Sequence, residues 1–178
     1  LGVAVLAKLC RDAAALLGEA YEPEIVELHH EKKGDAPSGT ALMLGRQIAR
    51  SRGWNFDEAA CFGRQGKVGP RPAKSLGLHA VRGGTAIGEH RVLFLGPGET
   101  LELTHRAESR ETFARGAIRA ALYLVGKKPG RYEIADAVGA WLFEWGTLPL
   151  AVVLLAMTAA VFVSMSRTYT TRLQDRII

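Results

Sequence analysis

Apolar residues along the first third of the chain recur with two different periods. Val3, Leu6, Leu9, Cys10, Ala13 and Leu17 follow the three-and-four spacing of one helix face, and Gly18 is a natural stop. Glu24 to Leu28 reads as a strand in which Ile25, Val26 and Leu28 can pack. Helical spacing returns from Ala41, through Leu42, Leu44 and Ile48, to about Arg52, closed by Gly53. Pro37 stops any earlier helix, and Ser38 or Thr40 can cap the new one. Asn55 predicts a capped turn over Phe56 to Ala60, after which the chain reads as irregular.

Three more strands are expected, Leu76 to Arg82, Ile87 to Leu95 and Thr100 to His105. Gly83-Gly84 and Gly96-Pro97-Gly98 supply tight-turn chemistry between them. Sequential strands joined by short turns imply an antiparallel portion of sheet. Ser109 is positioned to cap a last helix carrying Phe113, Ile118, Ala121, Leu122 and Val125, ended by Gly126 and Pro129. From Trp145 to Ser166 there is no charged residue, and Glu144 and Arg167 bracket the run. A helix of that length spans a hydrocarbon core of roughly 30 Å, so a transmembrane helix over residues 145–166 is expected. Basic residues flank it on both sides, which leaves its orientation undecided.

The 178 residues suffice for one domain with a core plus an appendage. Lys and Arg outnumber Asp and Glu by 23 to 18, an excess that suits acidic ligands and does not require nucleic acid. The segment Gly63 to Lys74 concentrates Arg64, Lys67, Arg71 and Lys74 among three glycines and two prolines, with Arg82 just beyond. Without interleaved aromatics or a following helix start, it reads as a solvated basic loop. Cys10 and Cys61 lie far apart, as suits a reducing compartment. The chain opens at Leu1 with neither Met nor a charged leader, so no signal peptide is expected and the natural start is expected upstream.

The candidate chemistry is concentrated between Glu27 and Leu42. A strand end feeding a helix start is where open α/β folds place ligands. Gly39 leaves the first N–H groups of the helix uncovered, and its positive dipole end favours an anion such as a substrate carboxylate. His29, His30 and Lys33 bring protons or positive charge to the same stretch. Neighbouring strand residues face opposite ways, so His29 and His30 share a pocket only if the strand ends there. Glu31 and Lys32 read as solvated, and Asp35 as a turn-former. His79, His90 and His105 lie on expected strands, where hydrogen-bonded structural roles are expected. No pair of these histidines has a metal-ligand spacing, so no metal site is expected.

Glu27 through Ala41 match E-x-H-H-x-x-K-x-D-x-P-S-G-T-A without a gap, and the segment closely resembles the signature of the dihydrodipicolinate reductases. The resemblance continues through Gly77-Leu-His-Ala-Val-Arg-Gly-Gly84, Gly88-Glu-His90, Gly96-Pro-Gly-Glu99 and Leu103 to Arg110, and fades after about Gly139. It implies an α+β fold with a mixed, largely antiparallel sheet and flanking helices, the substrate-binding and oligomerisation region of such an enzyme, over residues 1–139. Residues 140–178 then form an unrelated tail. The implied activity is reduction of 4-hydroxy-tetrahydrodipicolinate with NADPH or NADH in lysine biosynthesis, in the cytoplasm and in a homotetramer. By the same resemblance His29 matches a proton donor and acceptor and Lys33 a proton donor, while His30, Gly39 and Thr40 match substrate-binding positions. The family's glycine-rich cofactor fingerprint is missing from the sequence, so the chain alone is expected to be inactive.

Overall fold

The computed structural model describes residues 1–138, and Leu1–Ala137 forms one compact unit. In chain order the elements are α1 (Gly2–Leu17), β1 (Glu22–His29), α2 (Gly39–Ser51), α3 (Phe56–Ala59), β2 (Ala60–Phe62), β3 (Leu76–Arg82), β4 (Gly88–Gly96), β5 (Glu99–Ala107) and α4 (Glu111–Leu124). The five strands form one mixed sheet in the order β2-β3-β1-β4-β5. β1 pairs parallel with β3 and antiparallel with β4; β2 runs parallel to β3, and β4 pairs antiparallel with β5. This is an α+β architecture.

The core explains why the sheet has two unlike faces. Leu6, Cys10 and Ala14 of α1 are buried at four-residue spacing, and Ala41, Leu44 and Ile48 of α2 at spacings of three and four. They pack on Ile25, Leu76, Leu78, Val92 and Phe94, which alternate with outward residues along β1, β3 and β4. Gly45 permits this approach, since a Cβ there would lie 2.8 Å from the Phe56 ring and 3.0 Å from the Leu76 side chain.

The other face is charged. Its centre is Glu24, buried on β1 and held by Arg64 (2.9 and 2.7 Å), Arg71 (3.1 Å) and His79 (2.7 Å). Burial opposes ionisation of Glu24, but these donors outweigh it and hold the carboxyl down at about 2.

Three expectations need correction. The turn at Gly83-Gly84 does not join a hairpin: β3 and β4 are separated by β1, which pairs with both. Turn chemistry specifies local reversal of the chain, and β1, with residues buried on both faces, takes the central place between them. The basic loop is not simply solvated either, because Arg64 and Arg71 are drawn onto Glu24. The chain after α3 is not irregular throughout, since 60–62 add the edge strand β2 to β3. Among the described residues no helix is long and apolar enough to cross a membrane, and the expected span over 145–166 lies outside them.

Candidate active site

β1 ends at His29 and α2 begins at Gly39, and the nine residues between them form the site's turn. The Ala36–Pro37 peptide is cis, and Ser38 follows in an extended conformation. Ser38 Oγ accepts the Ala41 N–H at 3.1 Å, so Ser38 is the cap of α2. The first intrahelical bond runs from the Leu42 N–H to the Ser38 carbonyl. The N–H groups of Gly39 and Thr40 precede it and face out of the helix end. A Cβ on Gly39 would meet nothing within 4 Å, so the space before these amides is open. Because β1, β2 and β3 are parallel, this helix start lies beyond their C-terminal edge.

Beneath the turn lies Glu27, with no exposure to solvent. Its carboxylate accepts the Ser38 N–H at 2.9 Å and both ends of the Arg82 guanidinium at 2.8 Å. Its Oε2 is 2.6 Å from His29 Nδ1. Burial disfavours the charged form, but Arg82, His29 and the Ser38 amide outweigh it and hold the carboxyl below its ordinary range. Arg82 also donates to the carbonyls of Val81 and Asp35, both at 2.7 Å, which ties the turn to the end of β3.

His90 faces Glu27 across the β1–β4 ladder. Its ring meets His29 edge-on, with centroids 5.2 Å apart, and its Nε2 is 2.9 Å from Ser38 Oγ. Burial, joined by the charge on His29, pushes its imidazole down to about 4, so it is neutral near pH 7. Ser38 Oγ accepts from Ala41 and also hydrogen-bonds His90 Nε2, with the direction of that bond set by the His90 tautomer. That leaves His90 Nδ1 buried without a partner.

Of the residues expected from sequence, His29, Gly39 and Thr40 are brought to one strand end and one helix start. Lys33 stands on the turn with its Nζ 2.6 Å from Asp35, and its charge reaches His90, as that of His29 does. Asp35 therefore does more than shape the turn: it holds an ammonium group. His30 diverges from His29, with its Nε2 3.5 Å from Arg110 at the junction of β5 and α4. Thr40 lines a cavity of about 610 Å³ with Met43, Gln47, His105 and Phe113, and neither His29 nor Lys33 contributes to its wall. This cavity thus adjoins the His29 cluster through Thr40 without containing it.

Sequence reasoning passed over Glu27, Arg82 and the His90–Ser38 contact. The two-residue spacing of Glu27 and His29 puts both side chains on one face of a strand, and this was the available signal. Nothing local to Arg82 points to Glu27, 55 residues away.

Residues 2–138 match the family described as dihydrodipicolinate reductase, C-terminus. The 4-hydroxy-tetrahydrodipicolinate reductase of Desulfovibrio desulfuricans is 52% identical over 137 residues, which cover 76% of this chain and 53% of that protein. The Magnetococcus marinus protein of the same name is 51% identical over 138 residues, covering 78% and 52%. The chain therefore spans about half the length of the curated relatives it matches. Among solved structures, a dipicolinate-bound dihydrodipicolinate reductase from a Paenisporosarcina species superposes with a TM-score of 0.59 at 26% identity. That match covers 76% of this chain and 50% of the other.

Proposed function

Because the chain belongs to the dihydrodipicolinate reductase family through its C-terminal region, we propose that residues 1–139 are the substrate-binding half of a 4-hydroxy-tetrahydrodipicolinate reductase. Its reaction is the NADPH- or NADH-dependent reduction of 4-hydroxy-tetrahydrodipicolinate to tetrahydrodipicolinate in lysine biosynthesis. The observation that carries this reading is an imidazole, His29, set beside the open amide end of α2. The N–H groups of Gly39 and Thr40 take a substrate carboxylate, with the Thr40 hydroxyl and His30 as further donors. Reduction adds a proton as well as a hydride, and His29, with Lys33 as the second cation of the turn, supplies the proton.

The nicotinamide would supply the hydride, but the described residues do not fit a dinucleotide. They contain no glycine-rich strand–turn–helix, and the helix start that could face a phosphate is the one assigned here to the substrate. The cofactor-binding half belongs to the part of the relatives' length that this chain does not span, and the 178-residue chain by itself is inactive. The second reading is a membrane-tethered dicarboxylate-binding module, or a fused membrane protein, without redox chemistry. A homotetramer in the cytoplasm follows from the family. Nucleic acid is not a partner, a reading supported by the engagement of Arg64 and Arg71 with Glu24. Residues 140–178 form a separate tail in which 145–166 anchor the chain to a membrane, supported by 22 residues without a charge. Alkaline extraction that releases the chain from membranes would remove that part of the proposal.

Calorimetric titration with dipicolinate tests the site. The wild-type chain binds; Gly39→Val fills the open space before the amides and abolishes binding; Thr40→Ala weakens it by about 1 kcal/mol. Unchanged affinity in both variants would sink the carboxylate assignment. Substrate-dependent NADPH oxidation by the chain alone would overturn the statement that it is inactive. Where a cofactor-binding half is supplied, turnover lost in His29→Ala marks the reductase, and dipicolinate binding without any turnover marks the binding module.

A further inference from the structure

We propose that the buried Glu27–Arg82 pair is the positioning unit of this site: it fixes which nitrogen of His29 exchanges a proton and ties that ring to the helix start that grips the carboxylate. The inference rests on the reading of His29 as the proton donor and deepens it.

Glu27 and His29 are two apart on β1, so their side chains share one face. An ionised carboxylate is an acceptor only, so at 2.6 Å His29 Nδ1 must be the donor. The neutral ring is then the Nδ1–H tautomer, and Nε2 is the atom left to take up and release a proton. Gly88 stands opposite on β4, where a Cβ would come within 3.0 Å of that Nε2. Glycine at this position leaves room for the exchanging edge of the ring.

The same carboxylate accepts the N–H of Ser38, the residue that caps α2. Proton donor and anion-binding helix start are therefore registered through one side chain. Arg82 keeps that side chain charged and aimed. Its two terminal nitrogens take one oxygen each, and the same nitrogens hold the Val81 and Asp35 carbonyls, so the guanidinium cannot rotate without releasing the turn.

A buried ion pair contributes little net stability compared with apolar side chains of the same volume. What Glu27 supplies that an apolar residue could not is direction for His29 and for the Ser38 amide. Glu27 has no exposure to solvent, so it acts through the residues it holds, and Arg82 acts through Glu27 and the turn carbonyls it binds.

The test is the tautomeric state of His29, read from imidazole nitrogen shifts and nitrogen–proton couplings in the nitrogen-labelled 178-residue chain, alongside dipicolinate titration. In the wild type His29 is expected as the Nδ1–H form with a slowly exchanging Nδ1 proton. Free histidine favours the opposite tautomer, so observing Nε2–H in the wild type would overturn the proposal without any variant. Glu27→Gln presents an amide NH₂ to Arg82 in either orientation, and His29 is expected to revert toward Nε2–H with that proton in fast exchange. Arg82→Lys keeps a cation but loses the fork. It is expected to retain the Nδ1–H form with faster exchange, and to weaken dipicolinate binding several-fold through the loosened turn. It decides the matter should Glu27→Gln fail to fold, because unchanged exchange and unchanged binding in Arg82→Lys would refute positioning by this pair. Absence of dipicolinate binding by the wild type would refute the substrate reading. Binding by the wild type with the same His29 tautomer in folded Glu27→Gln would refute the positioning role alone.

Discussion

Replacing Glu24 by Gln tests how much of the fold depends on one charge on the outer face of the sheet. Glu24 is 8% exposed, and two guanidinium groups and an imidazole converge on it. A carboxyl held at about 2 instead of its ordinary 4.5 corresponds to about 3 kcal/mol of preference for the ionised native state. Because the folded value is depressed, the unfolded chain binds the proton more readily. The contribution is complete above about pH 4.5 and is lost as pH falls toward 2. Urea unfolding of wild type and Glu24→Gln, followed by circular dichroism, should show a difference of about 3 kcal/mol at pH 7 that closes as pH approaches 2. Other carboxylates titrate in both proteins, so the difference between the two curves isolates Glu24. The loop should report the same event: with Arg64 and Arg71 released, trypsin should cut between residues 63 and 74 faster than in the wild type. A difference in stability that stays constant with pH would refute the electrostatic account and leave only shape. Gly77 belongs to the same argument, since a Cβ there would overlap the Glu24 carboxylate.

Gly45→Ala should destabilise by about 1–3 kcal/mol despite alanine's better helix propensity, because its Cβ must displace Phe56 or Leu76; a higher melting temperature would show that α2 can move off the sheet freely. Ser38→Ala removes the cap of α2 and the partner of His90, and should cost about 1–2 kcal/mol in urea unfolding; no loss would mean that water replaces both bonds.

Much of the architecture was legible from short-range pattern. The period of α1 and α2, the alternation along β4 and the cap at Ser38 are set by residues within one or two turns of each other, and local sterics and hydrogen bonding suffice to read them. The turn from β4 to β5 is of this kind: Gly98 at φ 83 lets the chain reverse within two residues of both strands. The placement of most candidate residues was legible for the same reason. His29, Lys33, Gly39 and Thr40 lie within twelve positions, so a strand end and a helix start bring them to one place whatever the rest of the chain does.

Tertiary structure decided which strands became neighbours and what each charge met. Turn residues at Gly83-Gly84 reverse the chain equally well with or without a hairpin; placing β1 between β3 and β4 depends on burying its two faces, which no local pattern measures. Arg64 and Arg71 carry the composition of a solvated loop, yet a buried carboxylate 40 and 47 residues earlier in the chain draws them in. Arg82 and His90 became parts of the site only when parallel pairing with β3 and antiparallel pairing with β4 brought them to Glu27. The sequence by itself determined where His29, the cap and the open helix end lie along the chain, because each placement depends on near neighbours. The counter-charges that aim and hold them depended on the packed sheet, since burial alone makes an ion pair worth its geometry and burial is a property of the whole fold.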